Sequence, residues 1–274
     1  MNRTILDLLR CPVCHEGMTE TDDGRVCHCR AEKPHCFDYA KSGHIYLAGP
    51  HAGDGDTKEA VRARRAFLDA GYYQPLSDAV NHLLDEIGCR TVLDAGCGEG
   101  YYTNRMAESR DALGVDLSRA GVESAAKRAR QMGTRAAFSV ASIFSLPVRD
   151  ASIDAVTNLF APCAEDEFSR VLKDGGYLLL VGAGEDHLMG LKKAVYENPY
   201  QNVGRADLPT KMQEIRRERL RFEITVEGQE MIQNLFSMTP YYWRTSKDDR
   251  EKLARLNTLT TTVDFDVFLF RKGL

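Results

Sequence analysis

The chain has 274 residues, 43% of them hydrophobic and 28% charged, enough for one large packed domain with a small companion. Its formal net charge of −4 gives no global attraction to nucleic acid, so any such contact must come from local basic patches. No apolar run approaches the ~18 residues of a membrane span, and the first ten residues lack the long apolar segment of a secretory signal, so a cytoplasmic setting without a membrane partner is expected.

Eight cysteines in such a chain point to thiols and metal rather than disulfides. Five of them, Cys11, Cys14, Cys27, Cys29 and Cys36, fall in the first 36 residues, so residues 1–49 read as a separate module with no convincing helix period. Cys11-Pro-Val-Cys14 is a knuckle that can present two thiolates to one metal. A second pair must come from Cys27, Cys29, His35 and Cys36 to complete a closed tetrahedral zinc set. Fewer than 50 residues bury too little apolar surface to hold themselves folded, so the metal would supply much of the stability. Cys36 is expected to pack inward as a small hydrophobe. Phe37, Tyr39, Lys41, His44 and Tyr46 form an aromatic and basic stretch suited to stacking on bases; two of the three aromatics would serve equally as the module's own core.

Residues 50–75 read as a linker and a helix. The linker is 51–56, by its Gly and Asp content, and the helix is capped by Thr57 and stopped at Gly71. One helix face carries Arg62, Arg64 and Arg65, which are candidates for phosphate contact or a plain solvated surface; Arg216, Arg217, Arg219 and Arg221 are a second such group. From residue 76 to 274 strand and helix patterns alternate. A helix over 76–87 precedes strands at 91–95, 112–116, 136–141, 153–160 and 177–182, with helices at 102–108, 119–132 and 165–172 between them. A turn is expected at 173–176, then a strand at 221–226, a helix at 229–236 and a strand at 263–270. This βαβα series predicts an α/β, Rossmann-like, largely parallel sheet closed by a strand pair at one edge.

The chemistry concentrates after the first strand of that series. Val92-Leu-Asp94-Ala-Gly96-Cys-Gly98-Glu99-Gly100 is an apolar strand running into a G-x-G-x-G loop. Dinucleotide folds space their glycines as G-x-G-x-x-G, so this loop favours S-adenosylmethionine over NAD. Asp116, about 20 residues on at the end of the second strand, is placed to accept from two ribose hydroxyls. Ser142 would lie beside the adenine, and Glu99 could face a ligand ammonium group. Asn158 and the Ala161–Cys163 turn end the fourth strand at the same sheet edge and are the expected lining of a substrate pocket.

Asp94–Gly100, Asp116 and Asn158–Cys163 resemble the motifs of class I S-adenosylmethionine-dependent methyltransferases. More specific are Arg64-Arg65-Ala-Phe-Leu-Asp-Ala-Gly-Tyr-Tyr-Gln-Pro-Leu76, Gly96-Cys-Gly-Glu-Gly-Tyr-Tyr-Thr103, Ala161-Pro-Cys163, His187-Leu-Met189 and Met238-Thr-Pro240 with Trp243-Arg244. With the cysteine-rich start, these resemble the RlmA family of large-subunit rRNA guanine-N1 methyltransferases over nearly the whole chain. The resemblance implies cofactor contacts at Tyr73, Gly98, Glu99 and His187, beside Asp94, Gly96, Gly100, Asp116 and Ser142 from the loop and strand ends. It also implies a zinc site in which the histidine precedes a Phe-Asp pair. That histidine is His35, and Cys29 is preferred as the third ligand beside Cys11 and Cys14, with Cys27 its rival. The implied partner is 23S rRNA, recognised in part by the zinc module; a homodimer is left open. A small-molecule methyltransferase braced by the same metal is the alternative. No dedicated base for the guanine N1 proton is visible. Glu165, Asp166 and Glu167 read as the acidic first turn of a helix, and Cys163 as a buried thiol rather than a nucleophile.

Overall fold

The computed structural model describes residues 1, 3–49 and 55–273. Of the linker expected at 51–56, only Gly55 and Asp56 fall within them. Helix α1 (Arg3–Leu8) opens the chain; its six residues are too few to show a period in the sequence, and it is held by burying Ile5 and Leu6. Strands β1 (Met18–Glu20), β2 (Val26–Cys29) and β3 (Cys36–Asp38) make an antiparallel meander. Strand β4 (Ile45–Tyr46) leaves it, followed by α2 (Lys58–Asp69) and α3 (Gln74–Glu86). Thr57 caps α2, accepting from the Ala60 N–H at 3.3 Å.

The alternating part comprises β5 (Thr91–Ala95), α4 (Tyr101–Met106), β6 (Asp111–Asp116), α5 (Arg119–Met132), β7 (Ala136–Val140), β8 (Ile153–Leu159), α6 (Glu165–Val171) and β9 (Leu172–Ala183). It continues through α7 (Met189–Val195), β10 (Gln213–Glu227), α8 (Gln229–Ser237), α9 (Lys247–Leu253) and β11 (Thr258–Arg271). One eight-stranded sheet runs in the order β10-β11-β9-β8-β5-β6-β7-β4. All pairings from β9 to β4 are parallel, and β11 is antiparallel to both β9 and β10. The expected turn at 173–176 is instead an opening within β9. There the pairing jumps from Ile153–Leu172 to Ala155–Tyr177, and Gly175 takes φ +73°.

Side chains alternate across the sheet. On β9, Leu179 and Val181 join one core with Phe67, Leu76, Leu191, Phe236 and Phe265, from α2, α3, α7, α8 and β11. Leu178 and Leu180 join the other with Leu93, Leu113, Phe168, Ile5, Leu9, Met18 and Ile45. The cysteine-rich start therefore shares its hydrophobic core with the sheet, and β4 extends the sheet's edge beside β7. Helix α5 is capped by Ser118 and ended by Gly133 at φ +66°, and its buried face is mostly Val and Ala. Those small residues bring α5 close to the glycine loop: a Cβ at Gly121 would stand 2.8 Å from the Gly98 carbonyl oxygen.

Candidate active site and metal centre

A cleft of about 940 Å³ opens over the carboxyl ends of β5, β6, β8 and β9, where ligands of such sheets sit. Asp94, Gly96, Gly98, Glu99, Asp116, Tyr73 and His187 all line it. The Asp94 carboxylate is fully buried and accepts from the Thr103 hydroxyl at 2.5 Å and the Thr157 hydroxyl at 3.1 Å. Burial pushes its carboxyl up to about 6, even with those two donors opposing the rise. Asp116 ties the loop to the second strand end, accepting from the N–H groups of Gly98 at 2.9 Å and Ser118 at 2.7 Å. Burial raises this carboxyl too, against the pull of both amides.

Gly98 takes φ +53°, and a Cβ there would meet the Arg64 guanidinium at 3.3 Å. Gly100 behaves differently. At φ +75°, its Cβ would stand 2.5 Å from that of Ala125, so its missing side chain serves the packing of α4 on α5, and it is not part of the cleft wall. Ser142 also lies outside the wall; its hydroxyl accepts from the Phe144 N–H at 3.2 Å. Glu99 is buried 3.8 Å from Arg64, which pairs with Asp56 at 2.6 Å. Arg64 is thus inside the cleft rather than on a surface for phosphates.

Tyr73 and His187 meet across the floor, hydroxyl to Nε2 at 3.3 Å. The Asp264 N–H donates to His187 Nδ1 at 3.3 Å, so this nitrogen is the acceptor and Nε2 carries the proton of the neutral ring. Burial pushes the imidazole down to about 4, which keeps it neutral near pH 7. Two cleft-lining hydroxyls, those of Tyr102 and Tyr241, are buried with no hydrogen-bond partner among the described residues. Such groups are costly to leave unpaired, by about 1–3 kcal/mol each, and a polar ligand would satisfy them.

The wall also holds residues that sequence reasoning passed over: Asp56, Arg205, Asp207 and Tyr241. Arg205 and Asp207 lie in coil between α7 and β10, where no periodicity marks them; one glycine, Gly204, before an i,i+2 charge pair is the only trace they leave. Among the described residues, five carboxylates and two arginines face this cleft, a surplus of negative charge that suits a cationic ligand. Leu159, Phe160, Ala161 and Pro162 line it as expected of that turn. Asn158 stands behind them, its amide donating to the carbonyls of Ala95 at 2.9 Å and Pro162 at 3.1 Å. Burial pushes the Cys163 thiol up to about 11, so it is no thiolate nucleophile at neutral pH.

A methyltransferase-domain family matches residues 92–176, the stretch from β5 into β9. The chain is 32% identical, over 70% of its length and 70% of the relative's, to a provisionally named 23S rRNA (guanine-N(1)-)-methyltransferase of Micromonospora griseorubida. The chain belongs to the 23S rRNA guanine-N1-methyltransferase family. Similarity extends nearly end to end in two further members. One is YxjB of Bacillus subtilis, also provisionally named for this reaction, at 29% identity over 99% of this chain and 100% of the relative. The other is the 23S rRNA (guanine(748)-N(1))-methyltransferase of Streptomyces fradiae, at 29% over 97% and 98%.

In this family member Cys11, Cys14, Cys29 and His35 converge, with donor atoms all within 4.8 Å of one another. Neighbouring spacings are 3.6 Å for Cys14 to Cys29, 3.5 Å for Cys29 to His35 Nδ1 and 3.7 Å for Cys11 to His35 Nδ1. Ligands of a tetrahedral zinc stand ~3.4–3.8 Å apart, so the set fits that ion. Amides of Val13 and His35 donate to the Cys11 and Cys29 sulfurs. Burial would raise the Cys29 thiol, but the Ala31 and His35 amides and the His35 ring bring it down to about 6. Cys27 lies two residues back on β2, outside this cluster, and burial pushes it up to about 11. Cys36, expected inside, is exposed, because β3 turns it outward.

The anticipated basic surfaces are largely neutralised. Arg216, Arg217, Arg219 and Arg221 pair with Glu86, Glu214, Asp264 and Asp186. Tyr39 donates to Glu20 at 2.5 Å and packs with Phe37 against the core, whereas Tyr46 stays at the sheet edge under the Arg119 guanidinium. Glu165 accepts from the Thr210 and Lys211 amides and Glu167 from the Leu146 amide, so these carboxylates anchor coil.

Proposed function

We propose that this protein transfers a methyl group from S-adenosylmethionine to N1 of a guanine in 23S rRNA. The observation that carries the reading is the near end-to-end match to proteins named for this reaction. The cofactor supplies an electrophilic methyl carbon on a positively charged sulfur. Asp116 has acceptor sites left for ribose hydroxyls after its two amide bonds. Glu99 and Arg64 form an opposite-charge pair suited to the ammonium and carboxylate of an amino-acid moiety. The N–H and hydroxyl groups of this wall fix orientation, which is the main task in an in-line displacement. Phe160 and Trp243 line the cleft while 47% and 73% exposed, and so offer flat faces to an unstacked base. The target guanine must be unpaired or flipped, because N1 is hidden in a Watson–Crick pair.

Zinc held by Cys11, Cys14, Cys29 and His35 is structural in this reading, since four protein ligands leave no open position. An rRNA substrate implies a cytoplasmic setting, and no helix among the described residues is long and apolar enough to cross a membrane. The paired arginines of β10 favour a second reading, a small-molecule methyltransferase with the same cofactor site. Incubating purified protein with labelled cofactor and either naked 23S rRNA or ribosomal particles separates the two. Label recovered in 1-methylguanosine is expected; no label in either substrate refutes the rRNA reading.

A further inference from the structure

We propose that Asp207 reads the Watson–Crick edge of the target guanine and takes its N1 proton, with Arg205 as its positioning residue. The proposal rests on the guanine-N1 reading above. Guanine presents two adjacent donors there, N1–H and the N2 amine, which one carboxylate can accept together; adenine presents an acceptor at N1 and is repelled.

Of the five carboxylates lining the cleft, four cluster around the glycine loop and Arg64, and Asp207 stands apart from them. Asp94 is buried under two threonine hydroxyls, Asp116 holds the glycine loop, and Asp56 and Glu99 face Arg64. Asp207 stands instead beside the turn that follows β8, accepting from the Cys163 N–H at 2.7 Å. Arg205 Nε donates to its other oxygen at 2.8 Å. Arg205 Nη2 also reaches the first oxygen at 3.3 Å, and the guanidinium donates further to Asn158 Oδ1 at 2.6 Å on β8, the Val181 carbonyl at 3.1 Å on β9 and the Ala161 carbonyl at 2.7 Å in the turn. The Arg205 side chain is 7% exposed, so its position is fixed, whereas that of Asp207 is 47% exposed and forms part of the wall. The turn's own acceptors are already used, Ala161 by Arg205 and Pro162 by Asn158.

Burial raises the Asp207 carboxyl, but the Cys163 amide and Arg205 more than offset this and hold it below the usual carboxylate range; it is ionised and ready to accept. Glu165 is a further charged group near Cys163 at this turn. Seating a base against Asp207 removes water and increases its affinity for a proton. The N1 proton passes to the carboxylate. The freed N1 lone pair then forms the bond to the methyl carbon, and the carbon–sulfur electron pair remains on sulfur, leaving a neutral thioether. The Asp207 proton afterwards returns to solvent.

The test compares wild type, Asp207→Asn and the charge control Asp166→Asn, using an rRNA fragment spanning the mapped target with guanine or inosine at that position. Inosine keeps N1–H but lacks the N2 amine. Wild type should prefer guanine by about tenfold in kcat/KM. Asp207→Asn should lose about 100-fold in kcat at unchanged cofactor affinity by calorimetry, with its preference for guanine over inosine reduced in both binding and turnover. Its residual rate should climb about tenfold per pH unit above neutrality, as hydroxide takes over removal of the proton. Asp166→Asn should match wild type. Should Asp207→Asn fail to fold, Asp207→Glu should keep the guanine preference while kcat falls. Wild-type turnover or unchanged inosine discrimination in Asp207→Asn overturns the proposal. A wild-type protein that methylates no rRNA guanine overturns the underlying reading, and the proposal with it.

Discussion

Asp94 shows how one side chain can trade stability for a site. Its folded carboxyl titrates near 6 because burial disfavours the charge, and the unfolded value is ordinary, about 3.9. A raised folded value means that the folded state binds the proton more tightly. The contribution to stability is therefore fully present below about pH 4 and lost as pH rises through 6, reaching about 3 kcal/mol. Asp94→Asn, without cofactor, should gain melting temperature relative to wild type at pH 8 and gain little or nothing at pH 4. Calorimetric melts at the two values check this, and a difference independent of pH would refute it. The same scale shows what sequence reveals of a site. Asp94, Asp116 and the glycines were legible because a strand end, a fixed spacing and glycines in positive-φ turns each leave a mark in the chain. Arg64 was visible but placed wrongly, since helix periodicity gives its face and not what that face meets. Asp207 and Arg205 were invisible, because their roles arise from hydrogen bonds across 44 residues or more.

At the level of elements, the metal cluster draws one ligand pair from the knuckle and the other from β2 and the segment before β3. These short strands are too few to stand alone; they pack on the sheet's second core, and a zinc ion held by the four ligands, as proposed above, would share the task of ordering them. Elemental analysis of purified protein should find one zinc per chain in wild type and in Cys27→Ser, and well under half of that in Cys14→Ser or Cys29→Ser. Full metal loss in Cys27→Ser would reverse the ligand assignment. Strands β5 to β8 and helix α5 were plain in the sequence, because apolar runs bounded by glycine, and a helix with both caps, are local signals. Helices α1, α7 and α9 were not. Each is six or seven residues long, as are α4 and α6, but those two were placed by the strands that flank them, whereas α1, α7 and α9 have no such strand alternation around them.

Across the molecule, the cleft is an assembly of distant parts. One wall comes from residues 55–73, the base from the ends of β5, β6, β8 and β9, and the mouth from residues 202–207 and 235–243. Its described lining residues span Gly55 to Trp243, so segments far apart in the chain must come together to close it. The negative surplus at the centre draws in a cationic methyl donor, while exposed Phe160 and Trp243 stand at its opening. In the proposed reaction these parts deliver one methyl group to one ring nitrogen of 23S rRNA. It is tested most directly by mass mapping of 23S rRNA from cells with and without the gene, and with the gene restored. A single 1-methylguanosine should vanish with the gene and return with it; an rRNA methylation map identical in all three strains overturns methyl transfer to 23S rRNA.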